Sequence, residues 1–216
     1  MIDIPTQIGA IDRSVQRTLR PDGGENVTVL ARRTYRAELE DTWSAVTDPQ
    51  RIARWFMPIT GDLRQGGSFQ LEGNASGAIL ECDRPTRFRV TFGGETSIVE
   101  VRLADLGDGT TAFELEHTVP IEVAQSGAGA LFVGPGWDGG LLALGLHLAG
   151  EVTDDPVAAA SSPEALHFSA ESVEAWREAI RASGTATEDQ IADAMQMSMA
   201  QFAPADGSDG TDEPRN

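Results

Sequence analysis

Three histidines, one cysteine and a short run of arginines are the residues of this chain whose types could do chemistry. His117 completes the alternation Phe113, Leu115, His117, so its imidazole is expected to point inward with the apolar face of a strand. There it can orient a ligand or act as a general base, or it can satisfy itself on a backbone carbonyl near the strand end; both readings stand. His147 falls on the flank of an apolar helix stripe, and His167 falls in a segment that reads as a solvent-facing linker. These histidines are far apart and show neither His-x-x-His nor His-Glu-x-x-His spacing, so no metal site is expected. Cys82 stands on a strand-like stretch between Glu81 and Asp83, whose charges oppose a thiolate, and it reads as unreactive. No Gly-x-Ser-x-Gly elbow is present. The chain has no lysine, which rules out the phosphate-loop signature, and the glycines of 134–140 miss the dinucleotide spacing, so no cofactor is expected. Arg32, Arg33 and Arg36 form a basic cluster that reads as a solvated strand face, or as a docking point for a partner or for the acidic C-terminal part.

Composition narrows the classes further. The 216 residues carry a formal charge of −18, which repels nucleic-acid phosphates and anionic lipid heads, so neither partner is expected. A single cysteine leaves no intrachain disulfide framework. The opening residues lack a long apolar core and no stretch is apolar enough to span a bilayer, so the expectation is a cytoplasmic protein without membrane contact. Charge is uneven: residues 1–150 carry a net −7 and residues 151–216 a net −11. The Gly/Asp/Ser-rich stretch from Pro204 reads as a disordered acidic tail.

The elements that must hold these residues follow from hydrophobic period. Residues 27–37 read as a first strand, preceded by an N-terminal segment over 1–25. Two short helices follow, the first capped by Asp41, the second by Asp48 with Pro49 at its first position. Glycine and proline turns then separate a series of half-buried antiparallel strands. Phe88, Val90 and Phe92 oppose Arg87 and Arg89; Val99, Val101 and Leu103 oppose Glu100 and Arg102. Trp137, Leu141, Leu144 and Leu148 make one stripe of a helix. Later helices are read over Ser172–Ser183, ending at Gly184, and after the Thr187/Gln190 capping box. The order is that of an α+β fold.

Glycines crowd the Trp137 helix at 134, 136, 139, 140 and 145, although each interior one costs about 1 kcal/mol against alanine. They imply either close backbone approach of helix to sheet or a hollow beside Trp137. The loop from Ala124 to Gly136 reads as a mobile flap over a cavity mouth.

Three segments in this order, TYRAELEDTWSAVTDPQRIARWF, GDLRQGGSFQLEGNASGAILECDRP and GWDGGLLALGLHLAG, resemble the activator of heat-shock-protein-90 ATPase homologue family within the SRPBCC (START-like) superfamily. The resemblance spans about Thr34 to Gly150 and includes Thr47-Asp48-Pro49 leading to Trp55-Phe56. It implies a helix-grip fold over 26–150, with a curved antiparallel sheet around a long C-terminal helix and, often, a cavity for an apolar ligand between them. Residues 151–203 resemble a helical extension, which would either cap the cavity or carry a homodimer or protein-partner contact. The family shares no catalytic motif, so no catalytic residue is carried over.

A carrier or sensor of a small apolar molecule is the reading that follows. From the helices its ligand would meet Trp55, Phe56, Trp137, Leu141 and Leu144. From the strands it would meet Phe69, Leu71, Phe88, Phe92 and Phe113, with His117 as polar anchor. A cyclase or dehydratase using His117 as base is the alternative, and a cochaperone-like interaction module, implied by the family name, is a third.

Overall fold

Period-two alternation becomes one eight-stranded antiparallel sheet in the computed structural model, which describes residues 2–151 and 153–204; the tail expected from Pro204 lies, from residue 205, outside them. Its strands are β1 (Ile11–Leu19), β2 (Glu25–Tyr35), β3 (Ile59–Gly61), β4 (Ser68–Leu71), β5 (Ser76–Asp83), β6 (Arg87–Thr91), β7 (Ile98–Gly107) and β8 (Thr110–Pro120). In space they run β1-β2-β8-β7-β6-β5-β4-β3. Register lines up a single inner row, Val29, His117, Val99, Val90 and Ile79, each directly across from the next. On the outer face Arg102 reaches both Glu100 (2.7 Å) and Glu114 (2.6 Å), and Arg87 reaches Glu100 (2.7 Å).

The helices begin with α1 (Ile4–Gly9), α2 (Leu39–Thr47), α3 (Pro49–Ile52) and α4 (Ile121–Ala124). They continue with α5 (Gly134–Leu148), α6 (Pro156–Ala159), α7 (Pro163–Ser183) and α8 (Glu188–Phe202). The sheet curves around α5, the helix of the Trp137 stripe, in the expected α+β helix-grip arrangement. The five leucines of α5 spread over more than half of its circumference, as befits a helix covered on two sides. Its second cover is α7, whose Phe168, Val173, Trp176 and Ile180 are fully buried.

Several local expectations shift. The stretch read as a first strand is the second, because β1 precedes it and pairs with it from Ile11↔Arg33 to Leu19↔Glu25. β1 escapes the alternation rule because Arg13, between the inward Ile11 and Val15, is itself turned inward and buried. α2 starts two residues before Asp41, with Glu38 at its N-cap; Asp41 lies in the first turn, where a carboxylate favours the helix dipole. Asp48 does cap α3, accepting from the Gln50 amide at 2.8 Å. α7 begins at Pro163 behind the Ser162 cap, so His167 lies on a helix and not in a linker, exposed and 3.9 Å from Glu171. Its end at Gly184 (φ 64°) and the Thr187/Gln190 box opening α8 are as read.

The Ala124–Gly136 flap is overturned. Its middle forms a 3-10 helix, Gly127–Phe132, with Ala130 and Leu131 fully buried beneath α7 and α8. The small residues are there to admit close packing, and the Leu131 carbonyl accepts from Ser198 at 2.7 Å. The Arg32–Arg33–Arg36 cluster also divides. Arg32 pairs with Glu114 on the outer face (2.5 Å). Arg33 turns inward over the Tyr35 ring (5.3 Å) and donates to Gln7, because odd positions of β2 face α5.

Candidate functional site

Between the inner face of β4–β8, the α2–α3 corner and α5 lies a cavity of about 210 Å³. Its deep walls are Val99, Val101, Leu115 and Phe113 of the sheet, and Leu141 and Leu144 of α5. Val46, Thr47, Trp55 and Phe56, all only partly buried, form the wall nearest solvent. Every apolar residue named as a ligand contact reaches this space. Trp55, Phe56, Trp137, Leu141 and Leu144 do so from helices or the turn after α3; Phe69, Leu71, Phe88, Phe113 and Phe92 do so from the sheet. Alternation put the strand residues on one face, and the curl of the sheet brought that face against α5.

The hydroxyl and indole groups of the wall are engaged. The Thr47 hydroxyl donates to the Trp43 carbonyl (2.7 Å) and the Trp55 indole N–H to the Ala45 carbonyl (3.0 Å). No carboxylate, imidazole, ammonium or guanidinium group is among the described lining residues. Such a surface can desolvate and hold an apolar molecule, and among its described residues it offers no carboxylate or imidazole for general acid–base work.

His117 does not line the cavity. It is buried one layer behind, against Phe92 (ring centroids 6.1 Å) and Trp137 (5.7 Å). The Trp137 indole N–H donates to His117 Nδ1 at 3.1 Å, and Ser97 Oγ lies 2.8 Å from Nε2. An indole nitrogen can only donate, so Nδ1 carries the lone pair, and in the neutral ring the proton is on Nε2, directed at Ser97. Burial pushes this imidazole down to about 4. The backbone-carbonyl alternative for His117 is therefore replaced by two side-chain partners. His147, on the last turn of α5, lies 3.4 Å from the Arg51 guanidinium, outside the cavity wall; burial and then the charges of Arg51 and Arg54 lower its pKa.

Sequence reasoning did not place Cys82 or Gly140 on the wall. Cys82, read as an ordinary strand residue, lines the cavity while staying exposed. A β-bulge between Ile79 and Glu81 shifts the register so that Cys82 pairs with inward Phe88. Simple alternation from Ile79 would have turned it outward. Gly140 also lines the space, with no atom within 4 Å of where a Cβ would stand. The glycines thus serve both proposed purposes. At Gly145 a Cβ would fall 3.0 Å from Arg33 and 3.3 Å from Tyr35 of the sheet, and at Gly134 2.5 Å from the Trp176 indole of α7, whereas at Gly140 the missing side chain leaves a hollow.

A second buried cluster lies on the other side of α5. Asp138 accepts from Arg13 Nε (2.7 Å), Ser172 Oγ (2.5 Å) and Trp176 Nε1 (3.1 Å), with no exposure to solvent. Burial pushes its carboxyl up and the three donors oppose that shift. Among the described residues no three His, Cys, Asp or Glu are grouped to hold a metal ion, and no helix is long and apolar enough to cross a membrane.

Comparison with known proteins identifies the scaffold. No curated protein matches the chain. The crystal structure of CalU16 from Micromonospora echinospora is 39% identical, covering 79% of this chain and 98% of that one, with a TM-score of 0.65. The solution structure of the same protein is 38% identical over 81% of this chain and 97% of that one, with a TM-score of 0.67. EF2215 from Enterococcus faecalis, a conserved protein of unknown function, shares the fold at 13% identity, 76% and 91% coverage and a TM-score of 0.53. The model of the Activator of Hsp90 ATPase homolog 1-like family matches residues 36–143, from the end of β2 through the cavity-lining turns of α5. With half of its length under that model and CalU16 matched almost end to end, the chain belongs to the Activator of Hsp90 ATPase homolog 1-like family of the SRPBCC superfamily.

Proposed function

We propose that this protein binds a small apolar molecule between sheet and α5, and carries or senses it without transforming it. The observation that carries the reading is the cavity of about 210 Å³, walled almost wholly by aromatic and aliphatic side chains, with the Thr47 hydroxyl and the Trp55 indole N–H already bonded. An apolar cavity of about 150 Å³ stays dry and takes up benzene, and drug-sized sites run to about 300–1,000 Å³. The volume here falls between, which points to a ligand of roughly two rings, or a short branched hydrocarbon.

The cyclase or dehydratase alternative relied on His117 as base. Its free lone pair is occupied by the Trp137 N–H, its N–H points at Ser97, and neither nitrogen opens on the cavity. That arrangement favours binding over proton abstraction. A cochaperone role would show itself as capture of a chaperone by the purified chain.

The deciding experiment is native mass spectrometry of the protein purified from its own host, beside Gly140→Leu, whose side chain would enter the hollow. A stoichiometric apolar adduct on the wild type and its loss from the variant are expected. A bare wild type whose melting temperature no panel of apolar compounds shifts would sink the proposal.

A further inference from the structure

We propose that His117 is a positioning residue: by holding the Trp137 indole, it sets the shape of the cavity's aromatic wall and thereby which apolar molecules fit. The proposal rests on the ligand-binding reading above.

Trp137 stands in the first turn of α5, partly buried against the core and flanked by glycines. Gly136 precedes it, and Gly139 and Gly140 follow, both with open space where a side chain would be. An indole with such neighbours can change rotamer and would then either fill the hollow or widen it. Opposing that motion is the hydrogen bond from its N–H to His117 Nδ1 at 3.1 Å. Phe92 completes a three-ring contact, 5.1 Å from Trp137 and 6.1 Å from His117, so both lining rings lean on the same imidazole.

The imidazole is fixed in turn from behind. Its Nε2–H is directed at Ser97 Oγ, 2.8 Å away, in the turn between β6 and β7. That turn is closed by the Phe92 amide on the Ser97 carbonyl (2.9 Å) and by the Ser97 amide on the Gly94 carbonyl (3.2 Å). The chain of contacts therefore runs from hairpin to hydroxyl to imidazole to indole to cavity. Burial gives the link weight, since an unpaired nitrogen of the buried imidazole would lack water to replace its partner. The Ser97–His117 pair also has the wrong polarity to activate a nucleophile: Nε2 already holds the proton that it would have to accept.

The test uses the whole chain, with N-phenyl-1-naphthylamine as fluorescent probe and naphthalene and 1-decanol as rigid and flexible competitors. Nitrogen-15 spectra should show His117 protonated on Nε2, and Trp137→Phe should identify the Trp137 indole N–H resonance. His117→Leu, which has no acceptor, should move that resonance and weaken naphthalene about tenfold, the equivalent of one buried hydrogen bond, with decanol little changed. His117→Asn places an amide oxygen where Nδ1 stands and should recover most of both. Should His117→Leu fail to fold, Ser97→Ala loosens the same imidazole from its far side and should shift selectivity in the same direction. A proton found on Nδ1, or selectivity indifferent to these changes in a wild type that binds the probe, overturns this proposal alone. A wild type that binds neither the probe nor, by calorimetry, naphthalene or 1-decanol overturns the ligand-binding reading and this proposal with it.

Discussion

A neutral imidazole buried between an indole N–H and a serine hydroxyl couples stability to pH in a direction that follows from its ionisation. His117 in the unfolded chain takes a proton near pH 6.5, whereas burial in the native protein holds it off until about 4. Between those values the unfolded state binds more protons, so this contribution is fully present above about pH 6.5 and is lost as pH falls toward 4. It amounts to something on the order of 3 kcal/mol, by the value of one pKa unit. Protonation would also set an Nδ1–H against the Trp137 N–H. The expected outcome is a melting temperature that falls across this window in the wild type and falls less in His117→Asn, which has nothing to protonate there. Equal acid sensitivity in both proteins would show that other groups dominate.

Helix α5 carries two glycines whose replacement by alanine should act in opposite directions. At Gly140 the added methyl meets no atom within 4 Å, and the helix gains the roughly 1 kcal/mol that separates alanine from glycine. At Gly134 the methyl would fall 2.5 Å from the ring of Trp176, which is fully buried and cannot yield, so overpacking of about 1–3 kcal/mol should exceed the helix gain. Denaturant melts of the two variants should therefore straddle the wild type. Gly140→Ala stabilised and Gly134→Ala destabilised is the expected pair; the same sign in both would contradict the packing described for α5.

Across the whole molecule, Asp138 ties together parts of the chain that are distant in sequence. It takes Arg13 from β1 and Ser172 and Trp176 from α7, so the first strand and the C-terminal helices are clamped on the side of α5 away from the cavity. Removing one partner of a buried ion pair strands the other charge, at a cost of about 3–5 kcal/mol. Asp138→Ala should lower stability by that order, and combining it with Arg13→Met should recover much of the loss by removing the stranded guanidinium. Calorimetry of the two variants measures this; a double variant no better than the single would mean that Ser172 and Trp176 carry most of the clamp. The same clamp places α7 behind α5, so this helix backs the cavity's helical wall and does not cap its open side.

Local period and turn chemistry are enough to read most of the sheet, the caps at Asp48 and Thr187, the stop at Gly184 and the apolar stripe of α5, because these depend on residues within one or two turns of each other. Alternation alone, being a local property, also puts Phe88, Phe92, Phe113 and His117 on one face. Tertiary structure decided the rest. It hid β1, whose buried Arg13 breaks the apolar pattern and finds its carboxylate partner in Asp138, 125 residues away. It turned Cys82 into the cavity through a bulge that no local signal marks. It placed His117 behind the wall and not in it, because Phe92 and Trp137 come between the imidazole and the space. Direction along a strand is set by the backbone geometry of neighbouring residues. Depth within a wall depends on which side chains from other elements arrive first, and that is settled only when the sheet closes on α5.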